Sequence, residues 1–167
     1  MAVSNVTAQR VRELLDYDPL TGVFRWRASR SACKVKPGDI AGSLHSSGYV
    51  RIGVDYTICL AHRLAWLHVY GVWPGPILDH INTVKSDNRI SNLRDVSPQV
   101  NQQNKRLPRA NVTSKYLGVW WNTRQRKWVT GITAFGRRIH LGTFADEDAA
   151  YAAYLAAKRR HHEGCTL

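Results

Sequence analysis

Residues 78–104, LDHINTVKSDNRISNLRDVSPQVNQQN, limit the fold more than any other stretch of this chain. The amides Asn82, Asn88, Asn92, Asn101 and Asn104 crowd a segment with few apolar side chains, so a long buried element cannot be cut from it. The short apolar run ending in Asp79 and His80 predicts the end of a strand. Ser86-Asp87-Asn88-Arg89 predicts a loop, because Asp and Asn bond their own backbone and tolerate turn geometry. A second short strand is expected from Asn92, then a helix starting at Ser97 with Pro98 at its first position. Asn101 would lie about one turn into that helix, on an inner face. Neighbouring strand residues point to opposite faces, so Asp79 and His80 can serve one site only where the strand ends or twists.

The flanking sequence is also cut into short pieces. Thr7 can cap a helix through Val11, Leu14 and Leu15. Asp18-Pro19 breaks it, and Thr21-Gly22 turns the chain towards Val23, Phe24 and Trp26. Tyr49, Arg51 and Gly53 alternate between turns at Ser46-Ser47-Gly48 and Asp55-Tyr56, which predicts an antiparallel meander. A helix is expected over 61–70, since Leu64, Trp66, Leu67 and Tyr70 cannot alternate as a strand, with Gly71 ending it. Residues 107–113 read as a polar, Pro-broken linker. Beyond it, three strand-like segments precede a helix capped by Asp146, rich in Lys158, Arg159 and Arg160 at its far end and stopped by Gly164. Ala149, Ala152, Ala153, Ala156 and Ala157 share one face and are expected to pack on the sheet, with Trp128 and Leu141 against them. The fold class expected is α+β: a β-rich extension over 1–60, a second unit over 61–106, the linker, and a third unit over 114–167.

Charge narrows the partners. The 167 residues hold 24 Lys and Arg against 12 Asp and Glu, a net of +12. Residues 1–104 carry 12 basic and 8 acidic side chains, a net of +4, and residues 105–167 carry 12 and 4, a net of +8. Nucleic acid is the default partner for such an excess, since phosphate neutralisation releases counterions, and the C-terminal part is its expected anchor. An anionic membrane surface or RNA would rest on charge alone. No run nears the roughly 18 apolar residues of a membrane-spanning helix, and no signal peptide opens the chain. Cys33, Cys59 and Cys165 stand far apart without a C-x-x-C pair, so neither a thiolate zinc site nor a disulfide framework is expected. A reducing cytoplasm is the compartment this suggests.

AHRLAW at 61–66, DHIN at 79–82, DNRISNLR at 87–94 and Asn101 together resemble the HNH endonucleases, in the phage and intron homing type whose last His is Asn. The resemblance implies a ββα-metal fold and hydrolysis of DNA. It implies that His80 is the general base, Asp79 and Asn101 hold a divalent cation (Mg²⁺, with Mn²⁺ as the alternative), and Asn92 fixes the loop and orients His80. Imidazole chemistry agrees, for a neutral fraction is available near pH 7. One carboxylate and one amide are hard oxygen donors suited to such ions. Asn82 and Asn88 are expected to shape the loop. His62 is assigned a structural or supporting role. Arg63 and Arg89 are candidates for phosphate contact, with a solvated surface charge as the alternative.

SKYLGVWW, RKWVTGI, GRRIHLGTF and DEDAAYAAYLAAKRRHHEG resemble the AP2/ERF DNA-binding domain. That implies a three-stranded antiparallel sheet packed on one helix, its outer face in the major groove. The positions on that face are Trp120, Asn122, Gly131, Thr133, Arg138 and His140, of which only Arg138 keeps the residue type of the plant domains. Arg124, Arg126, Lys127 and Arg137 are expected at phosphates. The reading that results is a DNA endonuclease targeted by a C-terminal reader, acting on double-stranded DNA without a small-molecule cofactor. The alternative is a non-catalytic DNA-binding regulator.

Overall fold

A computed structural model describes residues 6–29, 35–104, 108, 112–162 and 165. It is a mixture of helices and small antiparallel sheets, compatible with the α+β class, and divides into two compact units, 1–97 and 98–167.

In the first unit, α1 (Ala8–Leu14) starts at Thr7, whose hydroxyl accepts from the Arg10 N–H at 3.2 Å. Such a cap contributes about 1 kcal/mol. The chain passes directly into β1 (Leu15–Tyr17), which pairs antiparallel with β2 (Phe24–Trp26). The meander is β3 (Ser43–Leu44), β4 (Val50–Val54) and β5 (Thr57–Leu60), in that spatial order. Asp55 and Tyr56 both take positive φ, 43° and 63°, the hairpin geometry that matches strand twist. Helix α2 (Ala61–Tyr70) follows without a break and ends at Gly71 with φ 78°, as the sequence predicts. Then come β6 (Leu78–His80), a loop, one 3₁₀ turn at Ile90–Asn92 and β7 (Leu93–Asp95).

One apolar core binds these pieces. Val11, Leu15, Phe24 and Trp26 join Ile52 and Val54 of the meander, Leu64 and Leu67 of α2, and Leu78 and Leu93 of the β6–β7 pair. The boundary expected at residue 60 therefore falls inside a single cluster. The reason is α2, which buries one face against both the N-terminal helix and the meander.

The second unit begins with α3 (Pro98–Gln103) and so takes the helix that the sequence assigns to the loop motif. Strands β8 (Val119–Asn122), β9 (Lys127–Ala134) and β10 (Arg137–Phe144) form one antiparallel sheet in the order β10-β9-β8. Helix α4 (Glu147–His161) packs on it, capped by Asp146 Oδ2, which accepts from the Ala149 N–H at 2.8 Å.

Of the alanine stripe, only Ala157 is buried. Ala149, Ala152 and Ala156 are exposed, and α4 buries Ala150, Tyr154, Ala157 and Lys158. Alanines occur nearly all round this helix, so their spacing cannot choose a side; the large Tyr154 ring does. That ring lies where Gly118, at φ 78°, leaves room: a Cβ there would come within 2.2 Å of it. Leu141 packs into this core as expected, while Trp128 meets Trp121 edge-on at 5.0 Å. The Gly164 stop, most of the linker and Cys33 lie outside the described residues. Among the described residues no helix is long and apolar enough to cross a membrane.

Candidate active site

The pairing of β6 with β7 sets the site. Leu78 faces Asp95, Asp79 faces Arg94 and His80 faces Leu93. Alternation sends Leu78 and His80 inward, at 9% and 4% exposure, and Asp79 to the opposite side. There the Arg94 guanidinium donates from Nε at 3.0 Å and Nη2 at 2.8 Å to Oδ2 of Asp79. Both side chains are largely shielded, so each charge offsets the desolvation of the other. His80 ends its strand. The His80 carbonyl accepts from the Thr83 N–H at 2.9 Å, and Thr83 takes φ 67°, a rare conformation for a β-branched residue.

Three rings meet at His80. His62, from α2, lies edge-on with ring centroids 4.9 Å apart, and Tyr49 stands 5.2 Å from His62 and 6.0 Å from His80. His62 is buried at 5% exposure, and its Nδ1 has no hydrogen-bond partner. Burial, with the neighbouring His80 and Arg63 charges, pushes its pKa down to about 3. It is therefore neutral near pH 7. Burial also lowers His80 below the ordinary histidine value, opposed chiefly by the Asn88 side chain and by the Asp79 and Asp87 carboxylates. Lys85 sits 5.0 Å over the Tyr49 ring and donates to the Ser47 carbonyl at 3.0 Å.

The amides tie the loop together. Asn92 Oδ1 accepts from the Asn82 N–H at 3.0 Å, and its Nδ2 donates to the Asp87 carbonyl at 2.8 Å. Asn82 Nδ2 donates to Asp87 Oδ2 at 2.7 Å, and its own Oδ1 accepts from the Val84 N–H. The Asp87 carboxyl is held at about 2, mainly by Arg89, whose Nη2 lies 2.6 Å from Oδ2. The hydrogen bonds of Asn92 thus run to the loop, while the side chain that most opposes the effect of burial on His80 is that of Asn88, itself buried at 4%.

The remaining sequence candidates fall in different places. Arg63 donates to the carbonyls of Pro74 and Gly75, each at 3.0 Å, and so braces the turn before β6 rather than facing outward. Arg89 is about half exposed and paired with Asp87. Asn101 lies half-buried on α3, in the second unit. In that unit Trp120, Arg138 and His140 share the sheet face turned away from α4, with the register pairing His140 to Gly131 and Arg138 to Thr133. The Trp120 ring lies beside Gly131, where a Cβ would come within 3.3 Å of it, and the Arg138 guanidinium sits 4.4 Å from that ring. Asn122 Oδ1 accepts from the Gln125 N–H and so shapes the β8–β9 turn. Arg124, Arg126, Lys127 and Arg137 are exposed, with Arg126 at φ 50° in that turn.

Sequence reading missed Arg94 and Tyr49 and gave His62 and Asn88 too little. Arg94 had a usable signal, because any hairpin pairing His80 with Leu93 puts it opposite Asp79. The other three depend on contacts between distant elements.

The family model described as HNH endonuclease covers this arrangement. It matches residues 59–103. The matched segment runs from the end of β5 through α2, β6, the loop and β7 to α3, and supports an HNH nuclease acting on DNA. Comparison with curated proteins and with solved structures gives no match.

Proposed function

We propose that this chain is a metal-dependent DNA endonuclease of the HNH homing type, guided by its C-terminal unit as an AP2-like reader. The observation that carries the reading is His80 at the end of β6, shielded from water and shifted towards its neutral form, within the HNH-matched segment. A neutral imidazole can accept a proton from the water that attacks phosphorus, and a pKa below 6.5 leaves most of it ready at pH 7. His62, neutral and packed against the ring, restricts its orientation without adding charge. Asn92 and Asn82 hold the loop that follows His80.

The donors fit a hard divalent ion. Among the described residues no three His, Cys, Asp or Glu side chains gather into one group. A single carboxylate suits Mg²⁺ or Mn²⁺, which complete their shells with phosphate oxygens and water. Asp79 would hold the ion. When bound, the cation stabilises charge on the phosphoryl and departing 3′ oxygens. Arg94 balances the Asp79 charge before DNA arrives. The face bearing Trp120, Arg138 and His140, with Arg124, Arg126, Lys127 and Arg137 around it, would lie on the duplex, its cations at bases and phosphates.

Relaxation of supercoiled plasmid tests the reading. Nicking should require Mg²⁺ or Mn²⁺ and stop with EDTA. Duplex binding without metal-dependent nicking would instead assign the chain to non-catalytic DNA binding.

A further inference from the structure

We propose that the N-terminal hairpin is a clamp on the catalytic loop, with Tyr17 and Gly22 positioning His80 through Asn88. The proposal rests on the nuclease reading and places working residues outside the HNH-matched segment. The hairpin turn is rigid. Asp18 accepts from the Leu20 N–H at 2.9 Å and from the Thr21 hydroxyl at 2.7 Å, while its carbonyl accepts from the Gly22 N–H at 2.8 Å. The Tyr17 ring is fixed against Phe24 at 4.7 Å and His68 at 5.6 Å.

Two contacts reach from this turn to one peptide unit of the loop. The Tyr17 hydroxyl donates to the Asn88 carbonyl at 2.7 Å. Burial pushes its pKa up to about 12, so it remains a donor throughout the working range. Gly22, at φ 74°, lies so close that a Cβ would stand 2.4 Å from Arg89 N and 2.6 Å from Asn88 C. Only glycine accepts both that conformation and that approach. The Asn88–Arg89 peptide is thereby fixed in position.

Asn88 transmits the constraint. Its side chain is 4% exposed, and its Nδ2 donates to the Ser86 carbonyl at 3.2 Å. Its Oδ1 is buried without a hydrogen bond, which leaves the amide's acceptor inside the site, and the same side chain opposes the effect of burial on His80. Loss of the Tyr17 bond frees the Asn88 backbone, and with it the buried side chain that bears on His80. A base displaced by a fraction of an ångström from the attacking water loses rate, not affinity for DNA.

Tyr17→Phe removes the hydroxyl and keeps the ring packing. The expected result is single-turnover nicking slowed roughly five- to tenfold, with the duplex Kd unchanged. Amide exchange at Asn88 and Arg89 should accelerate by a similar factor. Added to Asn88→Ala, the Tyr17 change should cost nothing further, because its effect passes through that residue. The clamp is overturned if Tyr17→Phe leaves both nicking and exchange unchanged, or if the double variant loses the product of the two single effects. If the wild-type chain does not nick, the nuclease reading fails. In that case exchange at Asn88 and Arg89, which needs neither metal nor DNA, judges the clamp alone.

Discussion

Replacing His62 by Phe should flatten the acid limb of stability in the first unit. His62 has a native pKa of about 3 against an ordinary 6.5, because burial, chiefly, and the neighbouring His80 and Arg63 disfavour its charged form. The unfolded chain therefore binds a proton that the native state refuses between these values. Stability is intact above pH 6.5 and declines as pH falls towards 3, at about 1.4 kcal/mol per pH unit. From pH 7.5 to 4.5 this one group costs about 2.7 kcal/mol, a large share of a typical domain's stability. Phe keeps a ring against Tyr49 and His80 but cannot titrate. Urea unfolding, followed through amide resonances of Val54 and Leu64, should show the wild type losing about 2.7 kcal/mol more than His62→Phe over that interval. His80, shifted in the same direction, leaves a residual slope in both proteins. Equal pH dependence in the two would refute the claim that His62 is buried neutral.

Two further outcomes follow from the second unit. Gly118→Ala must place a methyl group within 2.2 Å of the Tyr154 ring at a φ of 78°. Left-handed strain and overpacking together should destabilise by about 3 kcal/mol and lower Tm by roughly 10 °C or more, read by calorimetry; a shift within a degree or two would mean that the ring moves aside freely. Arg138→Ala should weaken duplex DNA binding roughly fivefold or more and reduce the slope of log Kd against log salt if the contact is to phosphate, or relax sequence preference if it is to a base. Unchanged affinity and preference in a fluorescence titration would remove this face from the interface.

Local signals read well in this chain where they are steric. Asp55-Tyr56, Gly71 and Ser97-Pro98 each mark a break that the structure keeps, because turn geometry depends on a few adjacent residues, whereas Asp18-Pro19 does not end the first helix, which stops at Leu14 and gives way to β1. The Thr7 and Asp146 caps were legible for the same reason. The strand, loop and strand around His80 followed from the amide-rich composition. What could not be read depends on packing between distant segments. The face that α4 buries is chosen by Tyr154 and the space over Gly118, not by its alanines. The His62–His80 contact needs α2 to lie across the β6–β7 pair, and the Asn88 contacts need the N-terminal hairpin. The core shared from Val6 to Leu93 runs across the boundary expected at residue 60, because which segments pack together is not written in their composition.

The central claim is that His80 is the base. It is tested most directly by single-turnover nicking of supercoiled plasmid in Mg²⁺ by the wild type and by His80→Ala, with duplex Kd measured on both. The account predicts a loss of about 10²–10⁴-fold in rate with affinity within a factor of about two. Nicking by His80→Ala at the wild-type rate, still abolished by EDTA, would contradict it.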